Sequence, residues 1–583
     1  MTTTDWVVIV LTLTAILVYG LHKSRTTKNL DGYFLSNRSL PWYLVLLSIM
    51  GTQASAITYL SGPGQAYADG MRFVQYYFGL PLAMVVICIT FVPIFNRLKV
   101  YTAYEFLEKR FDNKTRTLTS FLFLLQRGLS TGISIYAPSI ILSSLFGWDI
   151  FWTNIVMGGV LIIYTMAGGA KAVAYTQQLQ LIIIFSAMFL AGFFVVKLMP
   201  EGIGFTDALQ VGGKAGKLNI ITSGVTEKGF DWNDRYNMWS GLIGGFFFAL
   251  SYFGTDQSQV GRYLTAQNNR ESRLGLLMNG LVKVPMQFFI LLIGVLIFSF
   301  YQFTGAPLSF NTTLVEDAKK SSYKDSLQLL QTKYDSLLVK KQQVAVQFIQ
   351  AERKEQQNSA QALATELKLL NKESEAYRSY FKNISKKVSN KDTNDTNYVF
   401  LAFVKQHLPS GLKGLLIAII FLAAWGSIAA ALNSLAAITV VDIHQRIAGK
   451  DKPLNEYRIS KYYTLGWGIF CILIAQFANQ LGRSLIEAVN VLGSLFYGVI
   501  LGIFLVAFYV KSVKGAATFI AALIVEAFTV LLFFNEKISF LKWLPDVGFL
   551  WLTAFGAIGM VLTGILLQKM GVRSKLKEQQ LIE

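Results

Sequence analysis

Long apolar runs separated by short polar segments extend along almost the whole chain. Thirteen such runs occur, at 5–21, 41–60, 74–95, 117–146, 150–168, 174–198, 237–256, 274–302, 412–441, 459–479, 484–510, 515–535 and 545–568. Most approach the about 20 residues that a helix needs to cross a bilayer. The pattern predicts an all-α integral membrane protein with about thirteen transmembrane helices.

One segment departs from the pattern. Residues 304–398 are polar and charged, yet carry two stripes at helical spacing: Leu327, Leu330, Tyr334, Leu337, Val344 and Phe348, interrupted once by Lys341, then Leu363, Leu367, Leu370, Tyr377 and Phe381. These predict an antiparallel helical hairpin, a coiled-coil-like insertion whose arms of about 30 residues would project about 45 Å from the membrane. It reads either as a solvated insertion or, over 315–395, as a docking surface for an envelope protein. Residues 388–396 read as a flexible return linker, and the Asn-x-Thr triplets here and at 311–313 are weak glycan matches.

With the insertion set aside, the second and seventh runs each open a group of five and share Gly and small polar residues. Five crossings reverse the orientation of the second group, which is the arithmetic of an inverted repeat with its site near the midplane. The divisions follow: 1–40, a leading helix and cytoplasmic loop; 41–198, a first five-helix repeat; 199–236, an extracytoplasmic loop; 237–303, two helices of the second repeat; 304–398, the insertion; 399–510, its last three helices; 511–583, two further helices and a tail.

The 583 residues are 53% hydrophobic and carry a net charge of +19. Nucleic-acid binding does not follow, because the basic residues fall in alternate loops: Lys23, Arg25, Lys28 and Arg38; Arg97 to Arg116; Arg262, Arg270 and Arg273; Arg446 to Lys461; Arg573, Lys575 and Lys577. The excess of Lys and Arg places these loops in the cytoplasm, with the N-terminus outside and the C-terminus inside a cytoplasmic membrane. The first run has neither a basic n-region nor a small-residue cleavage site, so it reads as a retained helix. Cys88 and Cys471 lie inside apolar runs and suggest neither disulfide nor metal cluster.

The chemistry concentrates in two stretches. In "LSIMGTQASAITYLSGPGQAY" (47–67), Gly51, Thr52, Gln53, Ser55 and Thr58 stand in mid-membrane, where an unwound backbone is tolerated only against protein or water. In "FLAAWGSIAAALNS" (421–434), small residues permit a close approach and Ser427 offers a hydroxyl; this fits either a cation site built of carbonyls and hydroxyls or ordinary small-residue packing. Lys283, about ten residues inside its run, is a functional candidate because a mid-membrane charge is costly; snorkelling is the alternative. No nucleotide-binding loop, nucleophile elbow or His/Cys ligand cluster is present, so the chain reads as no enzyme and needs no organic cofactor.

Read together, "LSGPGQAY", "GGAKAVAYTQQLQ" (168–180), "YFGTDQSQVGRYLTA" (252–266), "LVKVP" (281–285), "AAWGSIAAALNS" with "VVDIH", and "NVLGSLFYGVILGIF" (490–504) resemble the sodium:solute symporter family. The resemblance implies a five-plus-five inverted-repeat core of the amino-acid/sodium symporter type, and sodium-driven import of a small-molecule solute across the lipid bilayer. It implies Na+ as coupling ion, held by the carbonyls of Ile49, Thr52 and Ala423 and the hydroxyl of Ser427. A second family hydroxyl falls on Gly426. A second sodium site of some members falls on Gln177, Ala429 and Ala430, which implies a single sodium per solute. Gln53, Ser55, Thr58, Tyr76, Tyr77, Tyr252, Lys283 and Asn490 are expected to face the solute. The sugar-contacting positions of relatives fall on Ala56, Tyr77, Ala249 and Val489, against a sugar site of that type. Asp256 and Arg262 end the seventh run, where they read either as a solvated charge pair at the cytoplasmic surface or as part of an inner gate. Proton coupling, or a sensor signalling through the hairpin, are the alternatives.

Overall fold

The computed structural model describes residues 1–24, 35–388, 393–448, 456–478, 484–535, 542 and 545–572, without the side chains of 21, 23, 24, 167–172, 448 and 456. Arg25, Lys28, Lys450, Lys452, Arg573, Lys575 and Lys577 lie outside the described residues. The expected runs are helical, and large apolar side chains such as Leu11, Ile89, Ile163, Phe189 and Leu562 remain exposed on outer helix faces, as a lipid-facing surface requires. Nine of the described helices are long and apolar enough to span a membrane, or ten when the bent pair Trp42–Gln53 and Ala56–Asp69 counts as one. The expected thirteen is not reached on that criterion: Ile150–Met166 and Ser240–Gly254 are short, and Glu456–Ala475 carries charges in its first turns.

Two runs expected to be separate, 150–168 and 174–198, form one helical segment, Ile150–Lys197. The Tyr164 hydroxyl nevertheless lies 3.1 Å from that of Thr176. Twelve residues of straight helix rise about 18 Å, so the segment folds back on itself between them.

The helix at 42–69 is broken where the polar residues concentrate. Its halves meet at 61°, with Ala54 and Ser55 non-helical at the join. A second break at Thr255 and Asp256 separates Gly245–Gly254 from Gln257–Tyr263. The start of the first broken segment meets the end of the second: Leu40 and Ala266 form a parallel bridge, and the Trp42 backbone N–H donates to Glu271 of the helix that follows (2.6 Å). At this same end of the bundle Arg116 lies between Glu108 and Asp442, 2.5 Å from each, and Arg446 reaches Glu108. The described basic loops thus gather at one end.

The hairpin lies at the other end. Lys324–Arg353 and Gln357–Val388 are antiparallel, with Ser374 donating to the Tyr334 hydroxyl (3.3 Å) and Lys340 paired with Glu366. Contrary to expectation it does not project. Arg353 at its tip pairs with Asp207 of Phe205–Lys214 (2.6 Å), Arg378 binds the Pro307 carbonyl, and Leu337, Val344, Phe348, Leu367 and Leu370 join the apolar core of the bundle. Hydrophobic burial across the bundle end outweighs the solvation of an upright coiled coil. Nor is the end of the return segment loose, since Asp395 is buried, 2.7 Å from Arg378, and accepts from the Phe310 N–H.

Lys341, the interruption in the first stripe, is buried. Burial, and secondarily the nearby Arg378, push its ammonium down to about 8, against a smaller opposing influence of Glu375. The unfolded chain therefore binds the extra proton between about pH 8 and about 10.4, and folding stability rises with pH across that window. Protection of the hairpin in hydrogen exchange, corrected for intrinsic exchange, should increase from pH 8 to 10 and lose that increase in Lys341→Leu.

Candidate functional site

The break at Ala54 and Ser55 creates the site. Where the helix stops, the Ala54 N–H still donates to the Met50 carbonyl and Ser55 turns back to Gln53. Among the described residues this leaves the carbonyls of Gly51 and Thr52 without a backbone donor. Such groups are costly away from water unless a polar ligand meets them.

Two small cavities adjoin the break. One, of about 60 Å³, brings Thr52, Gln53 and Ser55 together with Ser427 of Leu412–Ile438 and Ser130, Thr131 and Arg127 of Asn113–Phe146. The other, of about 80 Å³, is lined by Gln53, Ser55, Thr58, Tyr76, Tyr77, Tyr252 and Asn490, with Phe248 and Tyr497. The Tyr76 hydroxyl lies 3.4 Å from the Asn490 carboxamide oxygen, and the Tyr252 hydroxyl accepts from Gln259 (2.7 Å). Seven of the eight positions expected to face a solute thus share one cavity. Lys283 lines neither. It is fully buried, its Nζ has no hydrogen-bond partner among the described residues, and it sits 5.6 Å from the Tyr77 ring centroid, so it does not snorkel.

Of the four residues expected around sodium, Thr52 and Ser427 line the smaller cavity, whereas Ile49 and Ala423 are buried and line neither. The Ser427 hydroxyl donates to the Ala423 carbonyl (2.9 Å), which leaves its oxygen lone pairs available to a cation.

The small residues of "AAWGSIAAALNS" have a use that the residue pattern did not disclose. Between this helix and the broken one lies the Gln177 carboxamide: its Nε2 donates to the Thr52 hydroxyl and the Gly426 carbonyl (3.2 Å each), and its oxygen accepts from Ser48 (2.9 Å). A neutral amide joins the two helices here with its own donors. Gly426 is required for this approach, because a Cβ there would sit 2.8 Å from Gln180 Oε1 and 3.3 Å from Gln177 Cγ. Gly426→Ser, which restores the family hydroxyl, should cost about 1–3 kcal/mol by overpacking. Adding Gln180→Ala should recover the melting temperature and lower the sodium concentration needed for half-maximal uptake; thermal unfolding and sodium titration of uptake check both outcomes.

Asp256 and Arg262 do not form an exposed pair. Both are buried; Asp256 lies 3.7 Å from Arg127 and accepts from the Tyr497 hydroxyl (2.6 Å), while Nε and Nη1 of Arg262 have no partner among the described residues. The break at Thr255 turns the aspartate inward, away from the loop where its sequence position suggested it.

Arg127 was missed by sequence reasoning. It is 9% exposed, lines both cavities, and its Nε has no partner among the described residues. The signal was present: a charge about ten residues into an apolar run carries the same cost that singled out Lys283. Glu526, half-buried on Gly515–Phe533 and with neither oxygen partnered among the described residues, lines neither cavity.

Comparison with known proteins agrees with this architecture. The chain is 32% identical over 257 residues to the human (Homo sapiens) sodium/iodide cotransporter, covering 43% of this chain and 38% of that protein. It is 24% identical over 560 residues to the sodium/sialic acid symporter of Proteus mirabilis (strain HI4320), covering 95% and 92%. The chain therefore spans about two fifths of the length of the first relative and nearly all of the second. A solved structure of a Na+-coupled sialic acid symporter, described as substrate-bound and outward-open, superposes with a TM-score of 0.72 at 20% identity over 98% of each chain, which shows a shared fold. These relatives are transporters and not enzymes. The sodium:solute symporter family model matches residues 33–319 and 377–525, and the chain, a multi-pass membrane protein, belongs to that family.

Proposed function

We propose that the protein is a sodium-coupled secondary active symporter that imports a small organic anion by alternating access. The observation that carries this reading is the break at Ala54 and Ser55, which sets unbonded carbonyls and a row of polar side chains against Ser427 and Arg127 in two adjoining cavities. Oxygen donors alone suit a small hard cation. A buried guanidinium suits a carboxylate, which it can bind through two parallel hydrogen bonds. The names of relatives point the same way, since iodide and sialic acid are both anions.

On this reading Ile49, Thr52, Ala423 and Ser427 hold one sodium, and Gln177 occupies the place of a second. Gln53, Ser55, Thr58, Tyr76, Tyr77, Tyr252 and Asn490 surround the solute. Lys283 orders the Tyr77 side, and Asp256 with Arg262 belongs to the inner gate. The paired helix breaks support two inverted five-helix repeats, 41–198 and 237–303 with 399–510, within thirteen spans. The clustering of basic loops supports a cytoplasmic membrane location, with the N-terminus outside, the hairpin extracytoplasmic and the C-terminus inside.

A thermal-unfolding screen of purified protein against monocarboxylates, acidic sugars, neutral sugars, amino acids and nucleosides, each in sodium and in potassium, tests the assignment. Ligands that bind the native state raise the melting temperature by mass action. Stabilisation by an anionic class, and only in sodium, is expected; stabilisation by neutral solutes, or equally in potassium, contradicts it.

A further inference from the structure

We propose that the cleft between the hairpin and the bundle is a second binding site, for a small multiply charged anion bearing phosphate or carboxylate groups. Where the hairpin crosses the end of Ala56–Asp69 it leaves a cavity of about 430 Å³, within the range of about 300–1,000 Å³ common to small-molecule sites. Seven basic and two acidic side chains line it. The acids do not neutralise the excess: Asp395 is engaged by Arg378 and Lys382, at 2.7 and 3.7 Å, and Glu375 is exposed, 3.8 Å from Arg378.

Lys341 is what distinguishes this cleft from an ordinary solvated basic face. It is 3% exposed, lines the cavity, and makes no hydrogen bond or ion pair among the described residues. It stands in the apolar stripe of the first arm, between Leu337 and Val344, where a leucine would pack without penalty. An ammonium buried without an ion-pair partner opposes folding, and residues that reduce stability at one defined point commonly serve a ligand. Arg378 is buried beside the same cavity, and Lys368 and Lys372 are exposed at its edge. Lys341, Lys368 and Lys372 all lie in 320–376, outside the residues matched by the family model.

The cavity is also joined to the transport machinery. Tyr67 and Ala68, at the end of the half-helix that begins at the break, form part of its wall, and Lys217 donates to the Ala68 carbonyl (2.6 Å). An anion held here rests against a helix whose other end, at Ile57 and Thr58, lines the larger of the two small cavities.

The test uses the full-length protein in nanodiscs of zwitterionic lipid, titrated with inorganic phosphate and with citrate at constant ionic strength, by calorimetry and by thermal unfolding. At least one of the two should bind saturably. Lys341→Leu should weaken that binding at least tenfold and yet melt higher than the parent without anion. Lys340→Leu, which removes an exposed lysine paired with Glu366 outside the cavity, should leave binding unchanged. The proposal is overturned if neither anion binds saturably, if Lys341→Leu binds as well as the parent or melts lower, or if stabilisation appears only when phosphatidylglycerol is added to the disc, which would assign the cavity to a lipid headgroup.

Discussion

Replacing Arg127 by methionine should abolish uptake and lower the stability of the protein by about 3–5 kcal/mol, because it strands a buried carboxylate. Asp256 is 1% exposed, and its remaining partners are the hydroxyls of Tyr497 and Ser258 and the Ser258 N–H. Those donors cannot replace a positive charge. The double variant Arg127→Met with Asp256→Asn removes both charges from the interior and should recover most of the melting temperature. It should not recover uptake, because the guanidinium facing both cavities is still missing. Melting curves and initial rates on the same preparations separate the two roles. If the double variant transports normally, Arg127 serves only to neutralise Asp256, and the anion reading fails with it.

Ser427→Ala should do the reverse, leaving the fold intact while damaging sodium use. The hydroxyl donates only to carbonyls of its own helix, at Ala423 and Ala424, so its removal orphans no buried donor. A hydrogen-bonding or coordinating contact to a charged group contributes about 1.5–3 kcal/mol. Its loss should therefore raise the sodium concentration for half-maximal uptake by a factor of about 10 to 150, with the maximal rate less affected. Unchanged sodium dependence would remove Ser427 from the site.

The sequence disclosed the break before the structure did, because Gly51, Thr52, Gln53, Ser55 and Thr58 form a polar interruption too dense for a lipid-facing helix. The family resemblance likewise pointed to most of the residues that line the larger cavity. What the sequence could not disclose were contacts between distant segments. Gln177 meets Thr52 and Gly426 across 125 and 249 residues, and Asp256 meets Arg127 across a different pair of helices. The hairpin illustrates the same division. Its two stripes specified paired arms, but both coiled-coil pairing and burial against the bundle satisfy the same apolar pattern. Contacts formed outside the stripes, such as Arg353 to Asp207 and Arg378 to the Pro307 carbonyl, define how it lies.

Gly426 shows how one position can carry two readings. By resemblance it marks a missing hydroxyl and weaker sodium binding. By geometry it is the space into which Gln177 and Gln180 fit. The two are compatible: an amide that joins the helices through its own donors leaves less for a cation to do, consistent with one coupling ion instead of two.

The most direct test of sodium-coupled symport is flux into proteoliposomes, using the solute identified by the unfolding screen. With an inward sodium gradient the solute should accumulate above its external concentration, collapse when sodium is equal on both sides, and show no accumulation when potassium or choline replaces sodium. Accumulation driven by a pH gradient in the absence of sodium, or simple equilibration indifferent to sodium, would contradict the account.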